Sequence, residues 1–155
     1  MGYNLNFDAV WRDFDLLLSG LGLGLILAII SIFVGCLIGL VTAFGMLSSN
    51  RTVSNISKIY VSAIRNTPLL VLILFAYFAL PQWGIRIGKL ESFVLTLSLY
   101  AGAYLTEVFR AGLMALPGGL REAGLAIGLT EFQIKRYLIV PVMLRNVLPS
   151  LSNNF

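Results

Sequence analysis

Apolar residues gather in long runs separated by short polar breaks. The first run, Leu16 to Leu47, reads LLLSGLGLGLILAIISIFVGCLIGLVTAFGML without one charged side chain. A helix crosses the hydrocarbon core of a bilayer in about 20 residues. The run exceeds that length but is too short for two crossings and a turn, which predicts one long or tilted helix. A second span is predicted over roughly Ile59 to Leu80, closing at Pro81, and a third over roughly Phe93 to Leu116, with Glu107 and Arg110 in its later part. A fourth apolar segment, VMLRNVLPSLSNNF, starts after Pro141 and is read as incomplete at Phe155. Small residues recur every fourth position at Gly20 and Gly24 and again at Gly35, Gly39 and Ala43. Such spacing lets helix backbones approach closely in lipid, although ordinary glycine content would give the same pattern.

The break at 116–141, LPGGLREAGLAIGLTEFQIKRYLIVP, is far longer than a turn requires. Good helix formers fill Leu120 to Ile127 after Pro117-Gly118-Gly119, and Gly128 interrupts them. Thr130 is placed to cap a second helix, with Glu131 in its first turn, running to Pro141. The expected result is two short amphipathic helices hinged at a glycine. Such a pair can lie on a lipid surface or dock in the groove of a soluble partner.

Composition sets the class: 58% of residues are hydrophobic, 12% are charged, and mean hydropathy is +0.90. These values predict an all-α integral membrane protein with a single domain over 1–155. The chain has no histidine, and its one cysteine, Cys36, lies in an apolar run. A disulfide framework, a zinc cluster and histidine-based catalysis are therefore excluded, and neither a metal nor a cofactor is expected. Asp8, Asp13 and Asp15 precede the first run in place of a basic cluster, which argues against a cleaved signal peptide. The net charge of +4 is read as a topology signal, with no nucleic-acid partner expected. Arg51 and Lys58 in one connection, and Arg121, Lys135, Arg136 and Arg145 after the third span, place those segments in the cytoplasm and the amino terminus outside.

No G-x-x-x-x-G-K-[ST] loop occurs, so the chain carries no P-loop of its own. Glu107 with Arg110 or Glu122 lacks the third orienting group that an acid/base site requires, so an enzyme is not expected. Arg65 and Glu107 lie within predicted spans, where charge is costly and usually faces a bundle interior or water. They are candidates, with Thr67, for a polar pathway or gate; a structural Arg–Glu pair or snorkelling to the interface is the alternative.

The 116–141 segment resembles the signature loop of ABC importer membrane subunits, in which Glu-Ala-Ala, three residues, Gly, nine residues and Ile-x-Leu-Pro follow in order. Here Glu122-Ala123-Gly124, three residues, Gly128, nine residues and Leu138-Ile139-Val140-Pro141 keep that spacing. The departures are Gly124, Leu138 and Val140, with Gly124 expected to weaken the first helix. IRNTPLLVLILFAYFALPQ at 64–82, YAGAYLTEVFRAGL at 100–113 and the block 121–155 are similar to the branch that carries polar amino acids. The resemblance implies a type I importer permease bundle: three complete transmembrane helices, the start of a fourth, and a cytoplasmic coupling loop in the bacterial inner membrane. It also implies that the chain halts short of further spans. Implied partners are ABC ATPase subunits, a second permease subunit and an extracytoplasmic solute-binding protein. Glu122, Ala123, Gly124, Gly128 and Pro141 would form the ATPase contact, with Gly128 allowing a tight bend. An opine or compatible solute is the alternative cargo, and a membrane scaffold the alternative of another class.

Overall fold

The structure, a computed structural model, describes residues 11–152, with side chains described to residue 148; Asp8 lies outside the described residues. Among these residues every regular element is helical. Helix α1, Phe14–Met46, has 33 residues. It is about 50 Å long against a hydrocarbon core of about 30 Å. Most of its leucines and isoleucines are exposed, as a lipid-facing helix requires. Its buried positions are Ser31, Gly35, Gly39 and Ala43, one stripe at four-residue spacing.

That stripe packs on α4, Lys89–Met114, which buries Ser98, Gly102 and Thr106 at the same spacing. A Cβ at Gly35 would stand 2.8 Å from the Ala101 Cβ, and one at Gly39 would stand 3.0 Å from the Gly102 carbonyl oxygen. A Cβ at Gly102 would meet the Ile38 side chain at 2.8 Å. The two backbones therefore touch where only hydrogen fits, and dispersion across the seam replaces the hydrophobic drive that lipid removes. Gly20 and Gly24 have nothing within 4 Å, so the same spacing there marks no seam among the described residues. The contacts rise together in number along both helices, so α1 and α4 run parallel. The chain must return the length of the bundle between them.

The return is not the straight span expected over Ile59 to Leu80. Helix α2, Arg51–Arg65, starts earlier, with the Asn50 side chain accepting from the Thr52 and Val53 N–H groups. It stops before Pro68, because a proline disfavours helical backbone at the residue preceding it. Helix α3, Leu69–Leu74, follows at a bend of 104° and continues through a π turn, Phe75–Ala79, and a 3₁₀ turn, Leu80–Trp83. Helices α1 and α4 are long and apolar enough to cross a membrane alone; α2 with α3 qualifies only as a broken pair. Tyr60 ties α2 to α4 by donating to the Leu99 carbonyl at 2.6 Å.

Helix α5, Gly119–Ala126, and helix α6, Glu131–Ile134, form the expected pair. The second does not end at Pro141. It passes through a π turn, Lys135–Ile139, into α7, Val140–Ser152. Proline lacks an N–H and its ring crowds the carbonyl four residues back, and a widened π turn relieves both. Pro81 and Pro141 each stand two residues after such a turn. Met143 and Val147 of α7 join Ala43 of α1 and Phe109 of α4 in the apolar core.

Gly39→Val is expected to destabilise the fold by about 1–3 kcal/mol through overpacking. Gly24→Val should leave it unchanged. Thermal melts in detergent check this, and equal melting temperatures for the two variants would contradict the seam.

Candidate functional site

Two polar features stand at the end of the bundle where α1 and α4 both finish. The first is the α5–α6 hairpin. Gly128 has φ +81°, a left-handed conformation that strains any residue with a Cβ. The Gly128 N–H donates to the Leu125 carbonyl at 3.0 Å and the Leu129 N–H to the Gly124 carbonyl at 3.1 Å, a Schellman end. The bend thus needs glycine for its backbone. Side-chain room is not the reason, since a Cβ at Gly128 would meet nothing within 4 Å. Thr130 then starts α6 with a full capping box: Gln133 Oε1 accepts from the Thr130 N–H at 2.8 Å, and Thr130 Oγ1 accepts from the Gln133 N–H at 3.4 Å.

Side chains lock the two arms. Ile134 is fully buried against Gly124, where a Cβ would lie 2.7 Å from the Ile134 Cγ1. The helix-weakening glycine expected at 124 is therefore what allows the arms to close. Arg121 and Glu131 pair across the hairpin, and the hydrogen bond that the Arg121 guanidinium donates to that carboxylate raises its pKa above the ordinary value. Glu122 and Ala123 stand exposed on α5, beside Ile127 at 73% and Phe132 at 70% exposure. Pro141 lies inside the continuing helix, away from the bend.

The second feature is a cavity of about 360 Å³ lined by Lys58, Ser62, Arg65, Asn66, Tyr104 and Glu107. Arg65 stands at the end of α2, outside the apolar run, with its guanidinium 5.0 Å from the centre of the Tyr104 ring. Glu107 is paired with Arg110 and not with Arg65: Glu107 Oε2 accepts from Arg110 Nε at 2.8 Å and Nη2 at 2.6 Å. The structure thus brings Arg65 and Glu107 to one cavity without joining them. Thr67 does not line it; its hydroxyl donates back to the Ala63 carbonyl at 2.8 Å. Sequence reasoning missed Lys58, Ser62 and Tyr104. Lys58, Ser62 and Arg65 share one face of α2 at helical spacing, a signal that was present in the sequence.

The walls of this cavity carry two cationic groups, Lys58 and Arg65, against a carboxylate already neutralised by Arg110. Such a lining suits an anionic group or a zwitterion presented by its carboxylate.

The family described as binding-protein-dependent transport system inner membrane component matches residues 35–155. The glutamine transport system permease protein GlnP of Escherichia coli K12 is 33% identical over 152 residues, covering 97% of this chain and 69% of the relative. The L-cystine transport system permease protein TcyB of Bacillus subtilis is 35% identical, covering 100% of this chain and 67% of the relative. Among solved structures, an amino acid ABC transporter crystallised with histidines superposes with a TM-score of 0.80 at 34% identity, covering 98% of this chain and 71% of that one. The inward-facing MetNI methionine ABC transporter superposes at 0.72 with 26% identity, covering 89% of this chain and 67% of that one.

Gly128→Ala should cost about 1–2 kcal/mol at the bend and speed amide exchange at Leu129 about tenfold. Gly118→Ala should change nothing there, because Gly118 has φ −57° and open space around it. Unaltered exchange in the Gly128 variant would contradict the requirement for a left-handed residue.

Proposed function

The chain belongs to the binding-protein-dependent transport system inner membrane components, among the amino acid ABC importer permeases, and from that premise we propose a subunit for polar amino acids, worked by a separate ATPase that grips the α5–α6 hairpin. As a family member it is an integral membrane transport subunit, and its fold is that of an ABC amino acid transporter permease. The observation that carries the proposal is the hairpin itself. Its bend, cap and cross-arm ion pair make it rigid, while Glu122, Ala123, Ile127 and Phe132 remain uncovered.

A rigid knob is of use only if its movement reaches the bundle. Here the helix that begins at Glu131 runs through its π turn to Ser152 and lays Met143 and Val147 against Phe109. A push on the hairpin is therefore delivered to α4, on whose inner stretch Tyr104 and Glu107 line the polar cavity. ATP binding draws two ATPase subunits together, the hairpins follow, and the cavity switches access. To move such an equilibrium, the nucleotide must favour one state by several kcal/mol.

In this reading residues 1–155 act as one permease domain, and a second permease subunit, identical or homologous, completes the pathway. A solute-binding protein delivers cargo from outside. Arg51, Arg121, Lys135 and Arg136 collect on the hairpin side, which supports a cytoplasmic hairpin and an external amino terminus. The names of similar permeases, for glutamine, arginine and L-cystine, support polar amino acids as the cargo class. Arg65 and Glu107 line the pathway or gate, and Thr67 stabilises the break that holds Arg65 in place.

Co-purification from native membranes tests both halves. The wild-type subunit is expected to bring down a P-loop ATPase, and Glu122→Lys to lose it. Glu107→Ala is expected to keep the ATPase and to lower amino acid uptake severalfold. No ATPase with either chain would overturn the docking role, and normal uptake by Glu107→Ala would overturn the gate.

A further inference from the structure

At the opposite end of the bundle, away from the hairpin, two apolar grooves lie side by side. One, of about 480 Å³, runs along Ile30, Val34, Val94 and Leu95; the other, of about 410 Å³, runs along Gly24, Ile73, Tyr77 and Phe93. Leu27 and Leu90 belong to both and form the ridge between them. Each groove contains one charged side chain, and the two have opposite sign: exposed Glu91 in the first and exposed Lys89 in the second.

We propose that this double groove seats one zwitterionic diacyl phospholipid, with an acyl chain on each side of the Leu27–Leu90 ridge and its headgroup held between Lys89 and Glu91. Four observations carry this. A pair of apolar grooves that meet at one shared ridge matches two chains leaving one glycerol. The charges form a dipole at the start of α4, where Lys89 meets the phosphate and Glu91 the ammonium, so a headgroup bearing both charges is favoured over a purely anionic one. Trp83, 72% exposed, lies just before α4, a residue type that concentrates at the level of lipid headgroups. The grooves open beside the bare leucine and isoleucine face of α1, which needs lipid as its solvent.

The consequence concerns packing. The ridge sits at the open end of the α1–α4 seam, so a bound lipid fills voids that the two helices alone leave between α1, α3 and α4.

Native mass spectrometry of the full-length subunit in its assembled transporter, extracted from vesicles of equal phosphatidylethanolamine and phosphatidylglycerol, tests the proposal. The wild type is expected to retain phosphatidylethanolamine severalfold over phosphatidylglycerol. Glu91→Lys should reverse that preference, and Val94→Trp should lower retention of both. Equal retention of the two lipids by the wild type overturns the headgroup assignment. A second measurement does not depend on retention: a photoreactive diazirine amino acid in place of Ile30 should cross-link to phospholipid in the bilayer. Cross-linking to a protein segment instead, showing that protein covers the groove, overturns the proposal outright.

Discussion

The close approach of two backbones at Gly35, Gly39 and Gly102 is the constraint on which the rest depends. In lipid there is little hydrophobic gain from joining two apolar helices, so contact must come from dispersion at short range, and that demands the absence of side chains. The seam aligns α1 and α4 in parallel, which places both carboxyl-terminal ends together. Because parallel neighbours cannot be joined by a tight turn, the chain must travel back between them. The α2 helix, the break at Pro68 and the α3 run make that return. The polar cavity exists because α2 crosses α4 before the break, bringing Arg65 over Tyr104.

A second constraint acts through proline. A helix that must pass Pro141 while staying continuous has to absorb a lost hydrogen bond and a ring clash, and the π turn at Lys135–Ile139 does so. Continuity matters for the proposed coupling role, because a hairpin joined to the bundle by a flexible loop would move without consequence. The left-handed Gly128, the capping box at Thr130 and the closeness of Gly124 to Ile134 serve the same end by making the hairpin one solid piece.

Much of this was legible in the chain. The uncharged run at 16–47, the hinge at Gly128 and the cap at Thr130 follow from local chemistry, and the structure places each as read. The glycine stripe was only half legible. Gly20 with Gly24 and Gly35 with Gly39 share one spacing, and what separates them is the matching stripe Ser98, Gly102, Thr106 on a helix far along the chain. The bend at Pro68 was written in the proline, yet an apolar window runs smoothly across it and conceals the amphipathic end of α2. Pro141 was read as a stop because the α-helical rule forbids it, and a π turn answers that rule with one widened turn. Arg65 and Glu107 stood out as costly charges. Their true neighbours, Tyr104 and Arg110, follow from the helix crossing and from a choice among nearby partners that spacing alone does not make.

The central claim is that this subunit forms an amino acid pathway driven by an ATPase through the hairpin. Uptake into proteoliposomes holding the assembled transporter, with its binding protein supplied outside, measures it most directly. Accumulation of a polar amino acid above the external concentration, present with ATP in the lumen and absent without it, is the predicted result. Equal accumulation in the absence of ATP would contradict the account.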